Sequence, residues 1–131
     1  SGAPHENIDN VLKGRYGYRL ANDVGYNTSK VLGDISLQHP VILSGYNGTY
    51  TSGWWIFERT HYIDGHEWVA DGSEVYTNPC MSVIYFHMNW GWHETWVVDD
   101  HSGWFRDFNW AIPGTDQNFQ YYKRAIVDII P

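Results

Sequence analysis

Two short segments of this chain carry the side chains best suited to moving a proton. Residues 65–72 read Gly-His-Glu-Trp-Val-Ala-Asp-Gly, and residues 85–92 read Tyr-Phe-His-Met-Asn-Trp-Gly-Trp. Each segment has the character of a β-strand with a polar residue near one end. A neutral imidazole can accept a proton, and an asparagine amide oxygen can hold the hydrogen on its other ring nitrogen. We therefore predict that these strand ends place His66 beside Asn89.

The neighbours of these two residues suit a shielded site. Gly65 allows a second backbone or a substrate to approach His66 closely. An indole from Trp90 stacked over the pair would keep water from its hydrogen bond, with Trp92 as a further aromatic support. Taken alone, however, the residues also fit a hydrogen-bonded strand histidine and a turn-initiating asparagine beside packing tryptophans.

The other histidines do not have metal-binding spacing. His61 and His66 are five positions apart, and His87 and His93 are six apart. Neither pair has the compact helical spacing of a zinc motif. We therefore predict no metal and no cofactor.

The remaining nucleophile and carboxylate candidates are also unconvincing. Cys80 is the only thiol, and it follows Pro79 in a loop instead of opening a helix, where the dipole would lower its pKa. The adjacent carboxylates Asp99 and Asp100 read as a solvated loop, and nothing pairs Glu58 with Asp64 at the separation a glycosidase needs.

Composition excludes several classes of protein. The chain has 131 residues, a net charge of −7, 43% hydrophobic residues and 18% aromatic residues. The acidic charge argues against nucleic acid and against an anionic membrane surface as partners. One cysteine allows no internal disulfide, and no apolar run approaches the ~20 residues of a membrane span. Because the sequence opens on Ser1 and Gly2, we expect a processed or excised chain.

Hydrophobic patterning predicts two short helices and a mostly β remainder. Apolar residues at Ile8, Val11 and Leu12 predict a helix over residues 6–13, ended by Gly14. A second helix, capped by residues 27–29, carries Val31, Leu32 and Ile35 and ends at residues 39–40. Residues 16–26 read as an extended connection, and residues 45–53 as a loop. The predicted strands are residues 41–44, 54–62, 65–72, 81–90, 96–98, Gly103–Arg106 and Tyr121–Ile130.

These elements define the expected fold class. We predict an α+β unit over residues 1–131, with two short N-terminal helices followed by a twisted antiparallel sheet or half-barrel and the helices on one side. On the fourth strand, Ile84, Phe86 and Met88 should share one face, and on the last, Ala125, Val127 and Ile129 should share one face.

The two segments, in this order and separation, resemble the streptopain family of bacterial cysteine peptidases. Residues 102–105 (Ser-Gly-Trp-Phe) resemble a following strand of that family, and residues 125–131 its terminal strand. The resemblance implies the β-rich C-terminal half of a papain-like fold. By position it implies that His66 is the general base, that Asn89 orients it and that Trp90 screens the pair.

The resemblance also implies what must come from elsewhere. The family's nucleophilic cysteine opens a helix upstream, in the half that carries most oxyanion-hole donors, and this sequence has no equivalent. After Gly91 and Trp92 the family usually continues with glycines, where this chain has His93 and Glu94. We therefore expect a fragment of a secreted or cell-surface bacterial endopeptidase. Its partners would be the upstream half and a peptide substrate, and it would be inactive alone.

A second interpretation stays open. Eight tryptophans and ten tyrosines on a β-scaffold also suit a non-enzymatic module that binds carbohydrate or peptide. A degenerate peptidase kept as an interaction domain would show the same pattern.

Overall fold

A computed structural model describes residues 7–92 and 101–131. It has two helices, α1 (Ile8–Tyr16) and α2 (Thr28–Ser36), and one antiparallel sheet. The strands are β1 (Leu20–Gly25), β2 (Val41–Ser52), β3 (Arg59–Asn78), β4 (Met81–Asn89), β5 (Gly103–Arg106) and β6 (Tyr121–Ile130). Their order across the sheet is β1-β6-β2-β3-β4-β5. The α+β class is confirmed, and the sheet is open.

The N-terminal part differs from its prediction in two respects. Helix α1 continues past Gly14 to Tyr16, and Gly17, at φ 73°, ends it in the left-handed conformation that glycine tolerates. Residues 16–26 are more than a connection, because β1 forms there and pairs with β6. One strand therefore lies between the two helices.

Helix α2 begins as predicted. The side chain of Asn27 accepts a hydrogen bond from the main-chain N–H of Lys30 at 3.0 Å, which satisfies one free donor of the first turn. The helix stops at Ser36, three residues before His39. Its buried Asp34 accepts the main-chain N–H of Asp128, which fixes the helix to β6.

The two helices cover opposite faces of β6, so the prediction that they share one side was wrong. Val31 of α2 belongs to the main core with Ala125 and Val127. Helix α1 packs on a second, smaller core that contains Ile126. Since successive strand residues point to opposite faces, apolar residues on both faces of β6 allow a helix on each.

Strand β6 also carries an irregularity that reverses its alternation. Asp128 has φ +53°, and the pairing with β1 shifts its register nearby. Ile129 therefore joins the second core and leaves the face of Ala125 and Val127, contrary to the predicted pattern.

The centre of the sheet is the long β2–β3 hairpin, whose strand boundaries were predicted wrongly. Strand β2 continues through residues 45–52, so the prediction of a loop over residues 45–53 was wrong. The predicted strand over residues 54–62 is instead a short 3-10 turn, Trp55–Phe57, followed by the start of β3. Regular pairing from Val41↔Ala70 to Ser52↔Arg59 supplies main-chain hydrogen bonds that outweigh the turn-like composition.

Strand β3 is shared between two neighbours. Its first part, through residue 70, pairs with β2, and its part from Val69 to Asn78 pairs with β4. Strand β4 buries Phe86 and Met88, which were predicted to share a face, and β5 pairs with it. The predicted strand over residues 96–98 lies outside the described residues.

Candidate active site

His66 lies in the middle of β3, where the β2 residue opposite it has no side chain. Its register partner is Gly45. The half-buried imidazole is surrounded by aromatic rings, with centroids 4.8 Å away for Trp92 and 5.6 Å for Phe119. Trp68, two residues along the strand, is stacked at 6.1 Å. Trp68 therefore forms part of an aromatic platform for His66.

One main-chain contact sets the protonation pattern of this ring. His66 Nε2 lies 2.8 Å from the carbonyl oxygen of Trp90. A carbonyl oxygen can only accept, so Nε2 carries the hydrogen and Nδ1 of the neutral ring holds the lone pair. Among the residues the structure describes, Nδ1 has no hydrogen-bond partner. The free nitrogen is therefore the basic one.

The surroundings keep His66 neutral. Burial lowers its pKa below the ordinary value of 6.5, while the hydrogen bond to Trp90 and the carboxylate of Glu67 act in the opposite direction. A ring that is neutral at pH 7 can accept a proton from a partner.

Asn89 does not occupy the place predicted for it. It is exposed at the end of β4, and its Oδ1 accepts the N–H of Gly91 at 3.0 Å. Within the described part of the chain, the partner of His66 Nε2 is the next residue's carbonyl and not the Asn89 amide. The cause is strand alternation: Met88 and Trp90 point into the core, so Asn89 points away from it.

The two tryptophans of the second segment have different positions relative to His66. Trp90 is fully buried, with its ring 6.3 Å from the imidazole at an interplanar angle of 20° and 4.4 Å from Trp68. Trp92 is nearer to His66 and is only partly buried. Trp90 thus supports the ring from the core, and Trp92 covers it on the solvent side.

A close contact explains the glycine at position 65. The contacting group is the ring of Tyr46 and not a second backbone or a substrate. A Cβ at this position would lie 2.8 Å from Cε1 of Tyr46, its register partner on β2. Asp64, immediately before it, has φ +53°. The chain is therefore tightly constrained just before His66.

A cleft of about 610 Å³ opens beside His66. One wall comes from the chain between β5 and β6, which contributes Asp116, Gln117 and Phe119. The main-chain N–H of Asn118 donates to Asn47 Oδ1 at 2.6 Å, which ties this wall to β2. Among the described residues, the lining is Asn47, Asp64, Gly65, His66, Trp92, Asp116, Gln117 and Phe119. Sequence reasoning missed the wall, because residues 107–120 follow no periodic pattern or motif.

The half-buried side chain of Lys123 contacts the segment that precedes this wall. Lys123 Nζ donates to the Phe108 carbonyl at 2.9 Å and lies 4.1 Å from the ring centroid of Trp110. Burial lowers the pKa of Lys123 to about 8, partly offset by the Asp107 carboxylate. Trp110 in turn packs edge-on against Trp68 at 5.1 Å. The aromatic stack under His66 thus continues to β6.

Cys80 is far from His66. It is exposed in the turn between β3 and β4, where the Asn78 side chain accepts its main-chain N–H. Asn78 stands 12 residues after His66 on the same strand. At about 3.3 Å per residue, the separation along β3 is roughly 40 Å. Cys80 of this chain therefore cannot exchange a proton with His66.

Two other histidines have local partners of their own. His61 Nε2 lies 2.6 Å from Ser52 Oγ, and His87 Nδ1 lies 2.6 Å from Asp71 Oδ1. No group of three potential ligands that could hold a metal ion occurs within residues 7–92 and 101–131. His93, Glu94, Asp99 and Asp100 lie outside those ranges.

A comparison with protein-family models assigns the chain. The model described as the Peptidase C10 family matches residues 1–96, a span that contains both His66 and the segment ending at Trp92. The chain belongs to the Peptidase C10 family. This is the streptopain family of cysteine peptidases that the two segments resemble. A search of curated proteins gives no match.

The C10 match covers only part of the candidate site. It includes β2, β3 and β4 but ends before β5, β6 and the cleft wall at residues 116–119. The resemblance of residues 102–105 and 125–131 to later strands of the family therefore remains a prediction. No helix in the described part of the chain is both long and apolar enough to cross a membrane.

Proposed function

We propose that this chain supplies the general base of a cysteine endopeptidase, and that this base is His66. The supporting observation is the hydrogen bond from Nε2 to the Trp90 carbonyl, because it leaves the basic Nδ1 on a ring that lines an open cleft. Membership of the C10 family supplies the reaction class. The lowered pKa of His66 fits a base that is neutral before reaction.

In this proposal Nδ1 takes the proton of a cysteine thiol, and the thiolate attacks the peptide carbonyl. The imidazolium then gives the proton to the leaving amine, and the acyl-enzyme is hydrolysed with His66 as base again. The Trp90 carbonyl holds Nε2–H throughout and favours the imidazolium that forms. The nucleophile lies in an upstream half of a papain-like domain, so this chain is the C-terminal half.

Asn89 has an indirect role in this proposal. By accepting the Gly91 N–H it fixes the turn that carries the Trp90 carbonyl. Gly91 has φ +70°, a conformation that suits glycine at this turn. Asn89 and Gly91 thus position the acceptor of His66 Nε2, and Trp90 and Trp92 shield it.

The partners and location follow from the same proposal. The substrate is a protein or peptide, and the partner is the upstream half with the catalytic cysteine. C10 peptidases are typically extracellular, which supports a secreted or cell-surface bacterial protein.

Reconstitution tests this function. The chain should not hydrolyse peptides by itself, and adding the upstream half should restore hydrolysis and labelling of its cysteine by a thiol-reactive inhibitor. His66→Ala should lower kcat by several orders of magnitude, as expected when a catalytic unit loses its base. Asn89→Ala should have a smaller effect, since it acts through the turn.

His61→Ala is the matched control, because His61 lies on the same strand with its own partner, Ser52. It should leave kcat unchanged. Peptidase activity of the purified chain that survives Cys80→Ala would contradict the proposal. So would full activity of the reconstituted His66→Ala protein.

A further inference from the structure

The tip of the β2–β3 hairpin exposes four consecutive large apolar side chains. Trp54, Trp55, Ile56 and Phe57 are 83%, 80%, 86% and 75% exposed. Single exposed apolar residues are ordinary, but a contiguous patch of this kind marks an interaction surface. The tip belongs to neither apolar cluster of the core.

The turn holds these side chains outward. Gly53 has φ +97°, and a Cβ there would lie 2.3 Å from the Phe57 carbonyl oxygen. The Phe57 N–H donates to the Trp54 carbonyl at 3.1 Å, and the Glu58 N–H to the Trp55 carbonyl at 3.2 Å. The tip is therefore a hydrogen-bonded turn whose apolar side chains remain exposed in the folded protein.

The hairpin forms a finger that projects from the sheet. Strand β6 pairs with β2 only as far as Tyr46, and β4 pairs with β3 only from Val69. Beyond these strands, β2 and β3 pair with each other alone from Gly48↔Ile63 to Ser52↔Arg59. At about 3.3 Å per residue, this two-stranded part extends the tip by roughly 15 Å.

Charge and polarity are graded along the finger. Residues 35–57 contain no Asp, Glu, Lys or Arg in a chain whose net charge is −7, and Glu58 and Arg59 offset each other at the base of the tip. Behind the tip, Tyr50 stacks on His61 at 4.7 Å, and Tyr62 is exposed beside them. An apolar end followed by a belt of amphipathic rings is the order of polarity found across a membrane interface.

We propose that this finger inserts its tip into the outer layer of a neutral lipid bilayer. A convex, uncharged end needs no complementary groove, and a bilayer accommodates it without one. Tryptophan suits this depth, because its ring is apolar while its N–H can reach the headgroups. The acidic remainder of the chain disfavours anionic lipid but not a zwitterionic surface. The inference is independent of the role of His66.

Flotation with phosphatidylcholine vesicles tests it. The purified chain should float with the vesicles, and its tryptophan fluorescence should be quenched by lipids that carry a shallow doxyl group. Replacing Trp54, Ile56 and Phe57 together with serine should weaken vesicle binding about tenfold or more. Trp55 is kept, since its φ of +59° makes substitution there harder to interpret.

A matched control lies on the other hairpin. Val75, Tyr76 and Met81 are also exposed, near the β3–β4 turn, and their replacement with serine should leave binding unchanged. Circular dichroism should show that both variants fold, because all six side chains lie outside the core.

Three outcomes would overturn the proposal. The first is that the chain does not float with phosphatidylcholine vesicles, and the second is that the tip variant floats as well as the unsubstituted chain. The third is that the chain binds phosphatidylglycerol vesicles more strongly than phosphatidylcholine vesicles and that both variants keep this binding. Self-association of the chain that the tip substitutions abolish, without lipid binding, would assign the patch to a second copy and likewise refute it.

Discussion

The two ring nitrogens of His66 have different environments, and this difference supports its proposed chemistry. Nε2 is held by the Trp90 carbonyl, while Nδ1 has no partner among the described residues. The ring cannot rotate freely, because Trp92 and Phe119 contact it. A base fixed in one tautomer before the substrate arrives needs no rearrangement during proton transfer.

We predict that His66 titrates below pH 6.5 in the folded chain. Burial, the largest influence on its pKa, disfavours the charged ring. The associated stability is fully present above the unfolded pKa and is lost as pH falls through the lower folded pKa. NMR titration of the histidine ring protons, assigned with His66→Gln, measures this value.

Trp92→Ala serves as the comparison for that titration. Removing the nearest ring exposes the imidazole to water, so its pKa should move up toward 6.5. A His66 pKa above 6.5 in the unsubstituted chain would show that the Trp90 carbonyl and Glu67 outweigh burial.

At the level of elements, Gly45 of β2 allows the β2–β3 ladder to pack closely against the wall of the cleft. A Cβ on Gly45 would lie 2.6 Å from the main-chain oxygen of Phe119 and 3.1 Å from its Cβ. Gly45 stands opposite His66, and Phe119 lines the cleft. The missing side chain therefore lets the β5–β6 wall approach β2 beside His66.

We expect Gly45→Ala to destabilise the fold by about 1–3 kcal/mol, because main chain must move to admit the methyl group. Urea unfolding measures the change. Gly33→Ala is the control: it lies in helix α2 with nothing within 4 Å of the new Cβ, and it should stabilise by about 0.5–1 kcal/mol. Equal stability of the two variants would show that the wall is loosely held.

Sequence patterns predicted some elements well for identifiable reasons. Asn27 marks the start of α2 through a local hydrogen bond, and the end of β4, from Phe86 to Asn89, alternates between buried and more exposed residues. The β2–β3 hairpin was predicted wrongly because its glycines and polar residues favour turns locally, while its strand conformation depends on partners 7 to 29 positions away. The face of Ile129 depends on a backbone irregularity that no side-chain pattern reports.

The candidate site was likewise predicted only in part. The motif segments located His66 and the strand end of Asn89. They did not predict that the Trp90 carbonyl takes the place of the Asn89 amide, although alternation from Met88 already puts Asn89 on the other face of β4. The wall from residues 116–119 comes from a long connection whose path is set by buried Trp110 and Phe119.

For the molecule as a whole, the C10 match and the folding unit have different limits. The match ends at residue 96, but among the described strands β1 pairs only with β6, which spans Tyr121–Ile130. Strand β6 also supplies core residues to both faces of the sheet. The matched residues are therefore not a self-sufficient domain.

We predict that a chain cut after residue 96 will not unfold cooperatively. Without β6, β1 has no partner, and the edge of β2 and two apolar clusters are exposed to water. Heat or urea unfolding followed by near-ultraviolet circular dichroism checks this. Removing only Pro131, which is exposed beyond β6, should leave the transition intact. A sharp transition in the shorter chain would show that β6 is dispensable.

The central place of β6 also sets the order of events on the ribosome. Leu20 pairs with Ile130, so β1 emerges about 110 residues before its partner. At roughly 5–20 residues per second, that interval lasts on the order of 5–20 s. During it, β1 and, once it has been synthesised, one edge of β2 have unpaired main-chain groups, which can pair with other chains. The sheet becomes complete only when β6, the last of its strands to be synthesised, pairs with β1 on one side and with β2 on the other.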